Sequence, residues 1–227
     1  MKLSVIIPVY NEENVVEQAL ARVTSRKEPA EIIIANDGST DRTAEKLALL
    51  SSSDARIKVI NLEHNSGKGA AVKEGLRHVT GDVVLIQDAD LEYDPAEYPL
   101  LIEPFSKPEV QVVYGSRLMK RNKHSYLSFT LGGILLTLLT NILYFSRITD
   151  EPTGYKLFRT ELLLKMELES RGFEFCPEVT AKILRQGIHI SEVPISYNPR
   201  KISEGKKIRF RDGLIAIWTL VKYRFTR

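Results

Sequence analysis

From residue 3 to residue 115, short and almost wholly apolar runs alternate with stretches whose apolar residues recur every three or four positions. Each run ends in a polar or glycine-bearing loop. The runs are 3–9, 32–35, 57–62, 83–86 and 110–114. They are rich in β-branched residues and lack alternation, which predicts parallel strands covered by helices on both faces. Asn14 with Glu17 predicts a capping box opening the first helix, Asp41 a cap on the second, and the stretch from Gly67 to Gly69 the start of a third. In open sheets of this kind ligands bind beyond the carboxyl ends of the strands. The loops 8–11, 36–41, 64–69 and 87–94 are therefore where chemistry is expected.

The second half has another character. Between His124 and Arg147 lie 22 uncharged residues, about the length that crosses a bilayer core. Hydroxyl-bearing residues, Asn141 and two adjacent glycines weigh against a span. Leu131, Ile134, Leu135, Leu138, Ile142 and Phe145 recur at helical spacing between Lys120, Arg121, Lys123 and Arg147, a pattern that suits a helix lying at a lipid interface. The same spacing also fits an ordinary core helix. A short strand is expected at 156–158, then a helix capped by Thr160, a helix with Pro177 in its first turn, and a strand at 189–195. A basic loop and a helix over 212–223 close the chain, with Leu214, Ile217, Trp218 and Val221 on one face, to pack on the domain or rest on lipid headgroups.

Composition changes the picture only through the distribution of charge. The 227 residues are 43% hydrophobic with a formal net charge of +3, as in an ordinary globular chain. Divided after Gly115, the halves carry −7 and +10. An anionic partner for the second half follows, with phosphate, lipid surface and nucleic acid all eligible. The single cysteine, Cys176, cannot close an internal disulfide, and no charged n-region with an apolar stretch opens the chain, so a cytoplasmic setting is expected.

The strongest chemical signal is Asp88-Ala89-Asp90, directly after the run 83–86. Residues i and i+2 of an extended segment point the same way. Two carboxylates held side by side repel unless a cation or proton intervenes, and a hard divalent ion is a common solution. Glu92 continues that face, and Asp94 suits a cap for the helix begun by Pro95. An exposed acidic turn is the plain alternative. The run Asn36-Asp37-Gly38-Ser39-Thr40-Asp41 offers a carboxylate for a base or ribose beside a flexible glycine. Pro8-Val9-Tyr10-Asn11-Glu12 could wall a base pocket.

Together with Asn65-Ser66-Gly67-Lys68-Gly69, these motifs resemble the family 2 glycosyltransferases. Gly115-Ser116-Arg117, the run from Pro152 to Arg159 and Glu192-Val193-Pro194-Ile195-Ser196-Tyr197 resemble their polyprenyl-phosphate branch, typified by dolichyl-phosphate mannose synthases. The likeness extends over nearly the whole chain. It implies an α/β nucleotide-diphospho-sugar transferase (GT-A) fold, a mostly parallel sheet flanked by helices, within one domain over 1–227. Residues 1–115 would bind the nucleotide sugar, and 116–227 the acceptor and membrane.

The resemblance also implies residue roles. Pro8, Tyr10, Glu12 and Asp37 would hold the nucleoside, with Ala89 beside it. Asp88 and Asp90, with Glu92, would bind Mg²⁺ or Mn²⁺ and the donor diphosphate, and Arg200, Lys206 and Lys207 would close over it. Arg117 would meet the acceptor phosphate, with Thr153, Gly154 and Glu178 on the acceptor side. The implied reaction inverts a hexose from a nucleotide sugar, GDP-mannose before UDP-glucose, onto dolichyl or polyprenyl phosphate. It would run on the cytosolic face of a membrane, with no nucleic acid, and with a membrane-anchoring partner or a second copy of the chain. An acceptor that is already an ionised phosphate needs no dedicated general base. Arginines usual after the Arg117 position are missing from 126–145, and Lys120, Arg121 or Lys123 would substitute.

Three rivals remain open at this level. A soluble glycan or protein acceptor would leave the donor motifs unchanged. A dinucleotide oxidoreductase would use Gly67-Lys68-Gly69 but lacks the third glycine. A non-catalytic module binding an anionic surface would be indifferent to Asp90→Asn.

Overall fold

Apolar runs without alternation can bury both faces only if helices cover them on either side, and the chain folds that way. The computed structural model describes residues 1–122, 126–200 and 207–226. Its elements are β1 (Leu3–Val9), α1 (Val16–Thr24), β2 (Pro29–Asn36), α2 (Thr43–Ser51), β3 (Ile57–Asn61), α3 (Lys68–Leu76), β4 (Val83–Ile86), α4 (Tyr98–Ile102), β5 (Val112–Ser116), α5 (Leu127–Tyr144), β6 (Lys156–Arg159), α6 (Thr160–Leu164), α7 (Phe175–Arg185), β7 (Ile190–Pro194) and α8 (Phe210–Phe225). The seven strands form one sheet in the order β3-β2-β1-β4-β6-β5-β7. Neighbours are parallel except that β6 runs antiparallel between β4 and β5.

On one face Val5, Ile7, Ile32, Ile34 and Leu85 meet Leu20 of α1, Leu47 of α2 and Tyr98 of α4. On the other, Ile6, Ile33, Val84 and Ile86 meet Val72 of α3 and Phe175 and Val179 of α7. A third cluster joins Leu136 and Tyr144 of α5 to Ala181 of α7 and Leu220 of α8. The helical pair α5 and α8 is thus attached to the sheet through α7.

Several local expectations are corrected. The Asn14 capping box is not formed: α1 starts at Val16 without a side-chain cap, the amides of Val15 and Val16 donate to the Glu12 carbonyl, and Glu17 pairs with Lys46 of α2 at 2.5 Å. Thr160 is the first residue of α6 rather than its cap. β5 begins two residues late because Val110 closes a turn onto the Lys107 carbonyl and gives its own carbonyl to Arg159. Asp41 does serve the start of α2, accepting from the Thr43 amide, and Asp94 accepts from the Ala96 amide as expected.

The apolar stripe of α5 faces outward. Leu131, Ile134, Leu135, Leu138, Ile142 and Phe145 are all exposed, while Leu136, Thr137, Thr140 and Tyr144 pack inward. On α8 Leu214 and Trp218 are likewise exposed and Ala216, Thr219, Leu220 and Tyr223 are buried. The core-helix alternative is therefore overturned for the α5 stripe, whereas the α8 stripe is divided: Leu214 and Trp218 are exposed and Ile217 packs against the cluster of α5, α7 and α8. Among the described residues no helix is long and apolar enough to cross a membrane.

Candidate active site

The loops after β1 and β2 are joined by side chains before any ligand is considered. Asn11 stands in the left-handed region (φ 46°). Its amide donates to Ser39 Oγ at 3.0 Å and its side-chain oxygen accepts from the Thr40 amide at 2.8 Å. Asp37 is buried and accepts from the amides of Ser66 (2.7 Å) and Gly67 (2.8 Å), which draws the loop after β3 against the loop after β2. Gly67 has φ +98°, and a Cβ there would lie 2.4 Å from the Arg171 carbonyl oxygen. Only glycine fits that position.

At the end of β4 the acidic residues converge on basic ones from elsewhere in the chain. Lys68, the first residue of α3, places Nζ 2.5 Å from Asp88 Oδ1. Arg200 bridges Asp90 (3.1 Å) and Glu12 (3.2 Å), and its backbone amide donates to Glu92 at 2.8 Å. Lys207 Nζ lies 2.8 Å from Glu12, donates to the Tyr10 carbonyl and stands 5.6 Å above the Tyr10 ring. Burial first, then the charges of Asp88 and Glu92, push the Asp90 carboxyl up to about 7 despite Arg200. Among the described residues the cluster thus holds more negative charge than its cations balance, which a divalent ion could offset.

Carboxylate oxygens suit Mg²⁺ or Mn²⁺. Among the described residues no three ligands already converge as a metal site, and Lys68 and Arg200 pair with Asp88 and Asp90. Asp88 takes Lys68 on Oδ1, whereas Asp90 accepts from the Glu92 amide and pairs with Arg200, and Glu92 accepts from the Arg200 amide and the Tyr197 hydroxyl. Asp88 Oδ2 lies 2.7 Å from where a Cβ on Gly154 would stand. Pro8 and Tyr10 are half-buried beside this cluster and Ala89 is buried beneath it. Lys206 and Lys123 lie outside the described residues.

The opposite wall is built from the residues around 115–117 and 149–155. Arg117 is locked to buried Asp150 through Nε and Nη2, both at 2.7 Å, and its guanidinium stands 5.0 Å over the Tyr197 ring. Asp150 therefore takes the Nε and Nη2 edge of the arginine. Glu192 fixes the same loop by accepting from the amides of Thr149 and Asp150. Gly154 donates to Tyr93 Oη at 2.8 Å, and Tyr93 stacks on Tyr155 at 4.7 Å.

Two residues expected on the acceptor side are turned away from it. Thr153 is fully buried and gives its hydroxyl to the Gly115 carbonyl at 2.6 Å. Glu178 is also fully buried, accepting from the amides of Glu169 and Ser170, from Lys182 Nζ and from Tyr223 Oη. No oxygen is left to face a sugar. What Glu178 does is hold the 169–172 loop, whose Arg171 and Gly172 carbonyls accept from the amides of Ala70 and Gly69 at the start of α3. Burial alone would raise its pKa, but the hydrogen bonds outweigh it and hold the carboxyl below its ordinary value. Its stabilisation is full above the unfolded carboxylate value and is lost as the pH falls through the folded one. Glu178→Ala is expected to cost about 3–5 kcal/mol in denaturant unfolding at neutral pH, through the stranded Lys182 and loop amides. The wild-type advantage should shrink in acid.

Sequence reasoning missed the partners rather than the motifs. Lys68 lies inside the motif 65–69, yet nothing in its spacing points to Asp88, and Asp150 is 33 residues from the arginine it grips.

Comparison with known proteins follows this geometry. The chain is 32% identical over 212 residues to a dolichol-phosphate mannosyltransferase of Pyrococcus furiosus, covering 91% of this chain and 59% of that one. It is 31% identical to a dolichyl-phosphate beta-glucosyltransferase of Trichomonas vaginalis, covering 96% and 71%. The chain thus spans little more than half the length of its archaeal relative. In fold it is similar to the glucosyl-3-phosphoglycerate synthase of Mycobacterium tuberculosis, crystallised with Mn²⁺, UDP and glucosyl-3-phosphoglycerate. That match has a TM-score of 0.76 at 21% identity, over 98% of this chain and 79% of that one. The profile of glycosyl transferase family 2 matches residues 4–166. This match takes in the strand-end carboxylates, Lys68, Arg117 and the 149–155 loop, and the chain belongs to glycosyl transferase family 2.

Proposed function

We propose that the chain transfers a hexose from a nucleotide sugar, GDP-mannose or UDP-glucose, to a polyprenyl phosphate at a membrane surface, with inversion and with a divalent metal. One observation carries the reading: the loop that faces Asp88 is bonded directly to the helix whose apolar stripe is exposed. Glu151 of that loop donates its amide to Thr137 of α5, and Asn141 of α5 donates to the Ile148 carbonyl. A lipid lying along α5 would so present its phosphate to Arg117, next to the carboxylate cluster. The names of the relatives, which include an undecaprenyl-phosphate mannosyltransferase of Micrococcus luteus, agree with such an acceptor.

In this reading Pro8, Tyr10, Glu12 and Asp37 line the nucleoside side. Asp90 and Glu92, with Asp88 beside them, would hold Mg²⁺ or Mn²⁺, which when bound screens the donor diphosphate and the departing nucleoside diphosphate. Arg200 and Lys207 then exchange Glu12 and Asp90 for diphosphate oxygens. Arg117 holds the acceptor phosphate in line with the anomeric carbon. An acceptor oxygen forms the new bond to that carbon as the bond to the diphosphate breaks on the far side. The attacking oxygen is already ionised, so no side chain removes a proton. Positioning and electrostatics supply the rate.

The test supplies labelled GDP-mannose and UDP-glucose in parallel with polyprenyl phosphate vesicles, with metal or chelator. Label should enter the organic phase from one donor and disappear with chelator. Donor binding without labelled lipid would overturn the acceptor.

A further inference from the structure

Behind the 149–155 loop lies a polar cluster that the reaction above does not use. Glu151 is fully buried, and neither of its carboxylate oxygens has a hydrogen-bond partner among the described residues. The Thr180 hydroxyl gives its single proton to the Cys176 carbonyl and accepts from Tyr114 Oη, so it has none for Glu151. The cation available is Lys156, itself 1% exposed at the start of β6. Its Nζ donates to the Glu151 carbonyl at 2.5 Å and stands 3.6 Å from the centre of the Tyr114 ring. Burial pushes the Glu151 carboxyl up and the Lys156 ammonium down, and each charge partly restores the other. A lysine and a glutamate buried in such a place cost stability and call for a physical reason to be there.

We propose that Lys156 is the positioning residue of the acceptor wall. It ties the end of the 149–155 loop back to its beginning across a buried ammonium–carbonyl bond, with Glu151 as counter-ion and Tyr114 as floor. The loop carries two groups at the site, Asp150, which aims Arg117, and Gly154, which abuts Asp88, while the buried Thr153 anchors it to the Gly115 carbonyl. Glu192 and Thr137 hold the 149–151 end from outside. Lys156 is the hold from within, and without it Asp150 and Gly154 lose a common reference. This rests on the acceptor reading above only for its effect on transfer.

The experiment compares wild type, Lys156→Met and the double variant Lys156→Met/Glu151→Gln in the full chain. The double variant removes the stranded carboxylate that the single change leaves behind, and it should recover most of the lost thermal stability. Amide exchange across 149–155 should quicken about 10- to 100-fold in both variants while β1 and β4 stay protected. The KM for polyprenyl phosphate should rise about tenfold or more in both, with the KM for the nucleotide sugar and Mn²⁺ binding, followed by paramagnetic resonance, within about twofold of wild type. Unchanged exchange across the loop in the double variant would overturn the proposal. So would equal losses for donor and acceptor. If the wild type moves no sugar to lipid but the loop still loosens, the tie stands and the acceptor reading fails.

Discussion

Asp90→Asn is expected to abolish transfer while leaving the metal-free protein more stable than wild type above neutral pH. The loss should reach about 10³-fold or more, since the change removes a charge that faces the diphosphate and the metal together. The gain in stability follows from the folded-state carboxyl, which burial and the neighbouring charges of Asp88 and Glu92 raise to about 7. A carboxyl raised on folding contributes fully below its unfolded value of about 3.9 and loses that contribution as the pH climbs through about 7. Asparagine cannot ionise, so the variant's advantage should grow from about pH 4 to 7 and then level off, at about 4 kcal/mol. Arg200 keeps Glu12 as a partner and is not stranded.

Metal should reverse that order. A divalent ion at more than a thousand times its dissociation constant would stabilise the wild type by more than about 4.1 kcal/mol. It should leave Asp90→Asn where it was. Thermal unfolding with and without Mn²⁺ at two pH values reads both effects. A variant that Mn²⁺ stabilises as much as wild type would place the metal elsewhere. A site that spends fold stability on crowded carboxylates is what the exchange of stability for function predicts.

What could be read in advance divides along physical lines. Strands β1 and β4 were legible nearly to the residue because a run of buried β-branched side chains has few other uses, and the chemistry-bearing loops follow from their carboxyl ends. The direction of α5 was not legible. Its stripe of leucines has the same spacing whether it faces inward or outward, and the packing of Leu136 and Tyr144 against α7 and α8 turns the stripe outward. Likewise Glu178 and Thr153 carry polar groups that look available in a sequence, and whether backbone groups consume them depends on loops far along the chain. Asn14 failed as a cap because the turn preceding α1 satisfies its first amides through the Glu12 carbonyl. Local patterns name the elements; the partners that disarm or aim each polar group come from tertiary contact.

The outward stripes carry the second large effect: the protein should bind anionic vesicles through α5 and α8, and Phe145→Asn with Phe210→Ser should release it. Phe145 and Phe210 are each 85% exposed and Phe225 is 78% exposed, while Trp218 is 66% exposed. Water contact on that scale is unfavourable for aromatic rings unless another apolar phase covers them. Phe145 also stands at φ 55°, a conformation that asparagine accepts more readily than phenylalanine, so its replacement should not weaken the end of α5. Burying each ring in the interface is worth about 1.5–3 kcal/mol, and losing two should weaken partitioning about 10²- to 10⁴-fold. Arg209, Arg211, Lys222 and Arg224 border the same helix, each adding about 1 kcal/mol near anionic lipid, so binding should also fall with salt. Trp218 is the chain's single tryptophan, and its emission should shift to the blue as wild type meets vesicles. The paired substitution should lower transfer to polyprenyl phosphate held in a bilayer but spare transfer to a short, water-soluble prenyl phosphate, because the carboxylate cluster and Arg117 are untouched. Equal losses on both acceptors, or vesicle binding indifferent to salt and to both substitutions, would show that the stripes serve something other than lipid.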